Sequence, residues 1–115
     1  MATILVVDDE PPIRQLLVRI LERHGHRVIA CGDAASAMAV TDGVDLLLVD
    51  FVLPDLNGRD LTARLRARQP GLPVILMSGY LPDPDLAPPA PSMFMQKPMR
   101  PAAIVEMADR MLAGG

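Results

Sequence analysis

The chain has 115 residues, half of them hydrophobic, and a formal net charge of −3. A chain of this length buries roughly two thirds of its unfolded surface, so residues 1–115 are read as one domain that folds without disulfides or structural metal. The charge gives no reason to expect a nucleic-acid surface, and no apolar run approaches the ~20 residues of a membrane span.

Met1-Ala2-Thr3 leads directly into a strand pattern rather than a signal peptide, which sets a soluble, cytoplasmic expectation. Ile4-Leu5-Val6-Val7 is a continuous apolar run rich in β-branched residues, as expected of a strand covered on both faces. Ile13, Leu16, Leu17, Ile20 and Leu21 follow with the spacing of a buried helical stripe, between Pro11-Pro12 at the entrance and Gly25 at the exit. His24 and His26 flank that exit, where positive charge is favourable, and are read as structural. Val28 to Cys31 reads as a second strand, with the lone Cys31 as a small core residue. Asp33 is placed to cap a short Ala-rich helix through Val40.

Val44 to Val49 has no polar face to offer water, which makes it a central strand. Asn57-Gly58 opens a third helix running to about Gln69, and its Arg59, Arg64, Arg66 and Arg68 are read as a solvated face. Val74 to Met77 and Met93 to Met95 are the fourth and fifth strands. Between them stand Pro82, Pro84, Pro88, Pro89 and Pro91. An interior proline costs a helix about 3 kcal/mol through a lost hydrogen bond and a ring clash, so an extended loop is predicted there. Pro101 starts a last helix with the stripe Ile104, Ala108, Met111 and Leu112.

Five strands alternating with helices imply a doubly wound parallel α/β sheet, whose ligand crevice lies beyond the carboxyl ends of the strands. Asp8-Asp9, Asp50, Ser78 and Lys97 all fall at that edge. Carboxylates packed together raise one another's pKa, and a divalent cation resolves the repulsion; oxygen ligands with several waters suit Mg²⁺. A carboxylate beside such a metal can attack phosphorus, Lys97 can neutralise phosphoryl oxygens and the Ser78 hydroxyl can donate to them. Lys97 is the only lysine beside ten arginines. Blander readings stand alongside: Asp8 and Asp9 as helix caps, Ser78-Gly79 as a turn, Phe94 as plain core.

Val6-Val7-Asp8-Asp9-Glu10, Leu48-Val49-Asp50 through Asn57-Gly58, Met77-Ser78-Gly79-Tyr80 and Gln96-Lys97-Pro98 closely resemble, in order, the receiver domain of two-component response regulators. The resemblance implies a flavodoxin-like sheet with strand order 2-1-3-4-5. It makes Asp50 the acceptor of a phosphoryl group from a phosphohistidine. Asp9, Asp50 and the Val52 backbone carbonyl would hold Mg²⁺, with Asp8 acting through water. Lys97 would pair with the phosphoryl group, Ser78 would close on it, and Phe94 and Tyr80 would belong to the switch. The Lys97-Pro98 peptide should be cis. The expected partner is a histidine kinase or histidine phosphotransfer protein, met over Pro11, Pro12, Ile13 and Leu17, with no nucleic acid or membrane and a monomer or weak dimer. Such a domain catalyses only its own phosphorylation and dephosphorylation.

The departure from the family pattern is the proline run where a helix usually stands. Two other functions compete with the receiver reading: a small phosphohydrolase using Asp50 as nucleophile, and an interaction module independent of phosphorylation. The first needs a second carboxylate two residues after the nucleophile, where this chain has Val52; the intact acidic set argues against the second. Flavin binding is weakened by the lack of a hydroxyl- or Gly-rich phosphate loop after strand one.

Overall fold

The computed structural model describes residues 2–79 and 87–114. Its elements run β1 (Thr3–Val7), α1 (Pro11–Arg23), β2 (Arg27–Cys31), α2 (Ala34–Met38), β3 (Leu46–Asp50), α3 (Gly58–Arg68), β4 (Val74–Ser78), β5 (Ser92–Gln96) and α4 (Pro101–Leu112). All neighbouring strands are parallel, in the order β2-β1-β3-β4-β5. Every residue of β3 and β4 is buried, the environment their unbroken apolar sequences require.

Alternation along the strands sorts the core into two layers. Ile4 and Val6 of β1 face Leu17 and Leu21 of α1 and Ile104, Ala108 and Met111 of α4. Leu5 and Val7 face Ala34 and Ala37 of α2 and Leu61 and Leu65 of α3. Fully burying one such leucine or isoleucine contributes about 1.5–3 kcal/mol, so either layer far outweighs any single polar contact. The stripe of α1 is narrower than its sequence spacing suggests: Leu17 is 0% exposed, whereas Leu16 is 41% exposed. Leu17 therefore cannot be a surface contact for a partner, which corrects that expectation; Pro11 and Pro12 are exposed and Ile13 is half-buried.

The local signals act as their chemistry dictates. Pro11 and Pro12 occupy the first helical positions of α1, where no N–H is needed. Gly25 stops the helix at φ +86°, a left-handed conformation that glycine adopts without a Cβ clash. Asp33 caps α2 through the Ser36 N–H at 2.7 Å, and Asn57 caps α3 through the Asp60 N–H at 2.8 Å. Cys31 is buried, and that burial, aided by the charge of Asp33, pushes its thiol up, as expected of a core residue. His26 accepts the Ala2 N–H at 3.4 Å, a structural contact.

Arg66 departs from the solvated face assigned to it. Its guanidinium donates to the carbonyls of Leu72 at 3.0 Å, Pro89 at 2.6 Å and Pro91 at 2.8 Å. The proline run thus ends in a segment tied to the end of α3 by one side chain, whose planar fork suits several acceptors at once. Among the described residues no helix stands between β4 and β5. Residues 80–86, the first part of that connection and the position of Tyr80, lie outside the described residues.

Candidate functional site

Parallel strands end on one edge, and the registers bring specific residues together there. Val7 pairs with Val49, Asp50 with Met77 and Ser78 with Gln96. Asp8, one residue beyond β1, therefore stands beside Asp50, the last residue of β3. Lys97 follows β5, and its backbone N–H donates to the Ser78 carbonyl at 2.7 Å, which ties the two polar positions together.

The Lys97 ammonium joins the acids. Its Nζ lies 2.7 Å from Asp50 Oδ2, 2.8 Å from Asp8 Oδ2 and 3.2 Å from Glu10 Oε1. The Asp8 side chain is wholly buried, that of Lys97 is 12% exposed and Asp50 is buried. The second oxygen of each aspartate is also used: Asp8 Oδ1 accepts the Glu10 N–H at 2.9 Å and Asp50 Oδ1 the Val52 N–H at 3.1 Å. Asp8 therefore does not cap the first turn of α1, whose N-cap position is Glu10, without a side-chain cap.

Burial pushes the Asp50 carboxyl above its ordinary range, against hydrogen bonds from Lys97 and Val52 that pull it down. Burial alone would lower the Lys97 ammonium. Its hydrogen bonds to Asp50 and Asp8, with their charges, outweigh that effect and hold it above its ordinary value. Asp8, Asp9, Glu10 and Asp50 each offer a carboxylate oxygen, all within 4.8 Å of one another. Four carboxylates against one ammonium leave an excess of negative charge in a partly dry pocket. Hard oxygen donors in such excess fit Mg²⁺. Asp9 and Glu10 form the exposed side of the cluster and Asp8 and Asp50 its floor.

The remaining predicted positions fall as follows. Ser78 is buried at the end of β4. Phe94 is half-buried opposite Leu76 and packs on the α2/α3 core layer, a place compatible with plain core or with a mobile aromatic. Val52 is 53% exposed. The Lys97-Pro98 peptide is cis, as is Ala90-Pro91.

Four residues were not singled out from sequence. Glu10 adds a third carboxylate to Lys97. Arg14 donates to the Asp8 carbonyl at 2.7 Å. Asp55 accepts the N–H groups of Ala34 and Ala35 at 2.9 and 3.0 Å, holding the loop after β3 on the start of α2; those bonds keep its carboxyl below the usual range. Gly58 packs its backbone on that of Asp50. Glu10, Asp55 and Gly58 sit inside the matched motifs, which was the available signal; Arg14 carried none.

Residues 4–109 match the family model for the response regulator receiver domain. Among curated proteins, the DNA-binding transcriptional regulator NtrC of Azospirillum brasilense is 46% identical over 79 residues, 67% of this chain and 16% of that protein. PilH of Pseudomonas aeruginosa is 39% identical over 82 residues, 68% of each. The chain spans only a third or less of several such relatives, 33% of the regulator TcrX of Mycobacterium tuberculosis among them. Among solved structures, a CheY-like receiver domain from Methanospirillum hungatei superposes with a TM-score of 0.89 at 26% identity, over 99% of this chain and 95% of that one. NtrX of Brucella abortus gives 0.88 at 33% identity, over 98% of this chain and 27% of that one. With its parallel sheet in the order 2-1-3-4-5 and its acids gathered around one lysine, the chain belongs to the response regulator receiver domain family.

Proposed function

We propose that the chain takes a phosphoryl group onto Asp50 from a phosphohistidine of a histidine kinase or phosphotransfer protein, and that the acyl phosphate switches its partner contacts. The observation that carries this is the buried Asp8–Lys97–Asp50 arrangement at the sheet edge, open to solvent on the Asp9 and Glu10 side. The P–O bond to Asp50 forms as the P–N bond breaks, and the imidazole leaves with the electron pair. Mg²⁺, held by Asp9, Asp50 and the Val52 carbonyl with Asp8 behind them, would supply charge neutralisation for the phosphoryl oxygens. Lys97 moves from a carboxylate oxygen to a phosphoryl oxygen without leaving the pocket, and Ser78 supplies a hydroxyl from the adjoining strand. Beyond its own phosphorylation and dephosphorylation the domain turns over no substrate.

Incubation with Mg²⁺ and acetyl phosphate should add one phosphoryl group, read as intact mass, to the wild type and none to Asp50→Asn. No adduct on the wild type would transfer support to the phosphorylation-independent module.

The exposed Val52 beside the acceptor offers water no hydrogen-bonding group, which favours a long-lived acyl phosphate. A phosphohydrolase would need a carboxylate at that position. Val52→Asn should shorten the lifetime of the phosphorylated form, followed as loss of the mass adduct after the donor is removed. An unchanged or longer lifetime would refute this assignment.

A further inference from the structure

The structure assigns Arg14 as a positioning residue for the acidic site, an inference that rests on the phosphoacceptor reading above. Asp8 is held at every polar atom. Its N–H donates to the Cys31 carbonyl at 3.1 Å, and its carboxylate oxygens take the Glu10 N–H and the Lys97 ammonium. The one polar atom left is the carbonyl oxygen, and Arg14 Nη1 donates to it at 2.7 Å.

That carbonyl lies in the same rigid plane as the backbone nitrogen and Cα of Asp9. Fixing its direction therefore fixes where the Asp9 Cα stands, the point from which the Asp9 side chain leaves the end of β1. Arg14 acts on Asp9, an exposed member of the acid cluster, without being a ligand itself. The path of the guanidinium is also prepared: a methyl group at Gly32 would stand 3.1 Å from Nη1 and 3.7 Å from Cζ. Glycine immediately after β2 leaves the room that lets the arginine tip reach across from α1.

Charge and position predict opposite signs for removing this arginine, which makes the proposal testable. Arg14 is a cation near a cation site, so by Coulomb's law alone its loss should tighten Mg²⁺ binding. If it positions Asp9, its loss should weaken binding, and loss of groups that orient metal ligands typically weakens affinity by about 10–100-fold.

The test is calorimetric titration of the metal-free full chain with Mg²⁺ alone, with thermal unfolding recorded in parallel and the Asp9 and Glu10 amide resonances compared before metal is added. Arg14→Ala should bind Mg²⁺ about tenfold more weakly and shift both resonances. Arg14→Lys, which keeps the charge with a single donor, should fall between it and the wild type. Gly32→Ala, whose methyl crowds the guanidinium tip by a few tenths of an ångström, should weaken binding in the same direction but less, and Arg14→Lys decides the matter should Arg14→Ala not fold. Unchanged or tighter Mg²⁺ binding in the folded Arg14 variants, even with a lower unfolding temperature, would reduce Arg14 to a structural staple and overturn the proposal. Failure of the wild type itself to bind Mg²⁺ would be seen before any substitution and would count against the phosphoacceptor reading instead.

Discussion

Gly58→Ala should destabilise the domain by about 2 kcal/mol and slow phosphoryl labelling of Asp50, although alanine is the better helix former. Gly58 is the first residue of α3, and its N–H donates to the Phe51 carbonyl at 2.8 Å. A methyl group there would lie less than 3.0 Å from the Asp50 carbonyl oxygen and 3.1 Å from Leu76 Cδ1. The gain from replacing glycine in a helix is at most about 1 kcal/mol. Overpacking costs about 1–3 kcal/mol, and the upper part of that range applies because the obstruction is backbone, not the end of a flexible side chain. The strain is relieved by moving either α3 or the end of β3, and the second displaces the acceptor. For a domain near this size the unfolding temperature should fall on the order of 10 °C. Gly43→Ala is the control: nothing lies within 4 Å of its added methyl, so its midpoint should be unchanged or slightly higher. Equal midpoints for the two variants would mean that the contact between α3 and Asp50 is loose enough to absorb a methyl group.

The contrast between Gly58 and Arg66 indicates what a sequence of this kind makes legible. Helix starts and the placing of Asp8, Asp50, Ser78 and Lys97 on one edge follow from short-range patterns, namely apolar runs, caps and the rule that parallel strands end on one edge, whereas the strand order came from the resemblance to the receiver family alone. Gly58 was visible inside a motif, but its contact with Asp50 arises only when α3 is laid on β3. Arg66 shared its spacing with solvated arginines, and nothing local to α3 signals the Pro89 and Pro91 carbonyls 23 and 25 residues away. Leu16 and Leu17 show the limit of periodicity. Both fit the stripe, and the packing of α1 decided which one is buried. Asp55 and Arg14 act on backbone groups, the Ala34 and Ala35 N–H and the Asp8 carbonyl, and backbone groups carry no residue-type signal.

Lys97→Met should cost the metal-free protein about 3 kcal/mol near neutral pH, because removing one partner of a buried charge group leaves the others uncompensated. Among the described residues Lys97 is the one cation in contact with both the Asp8 and Asp50 carboxylates, at 2.8 and 2.7 Å, and both carboxylates are buried. Protonation of one acid caps the loss. Burial already holds Asp50 above its ordinary value, and without the ammonium it rises further, so the deficit should shrink as pH falls through the carboxylate range. The alkaline limit has the opposite origin. The folded pKa of Lys97 is raised, so the stability it contributes is fully present below the unfolded value of about 10.4 and is lost as pH rises through the folded one. Mg²⁺ should restore the variant more than it stabilises the wild type, since a metal that binds only the folded state stabilises by mass action and finds more unpaired negative charge in the variant. Phosphoryl labelling should nevertheless stay low, because a methionine offers nothing to the phosphoryl oxygens. Thermal unfolding in chelator and in excess Mg²⁺, with labelling measured alongside, separates the two roles. A variant as stable as the wild type in chelator would show that the Lys97 ammonium is not what compensates the buried carboxyl groups beside it.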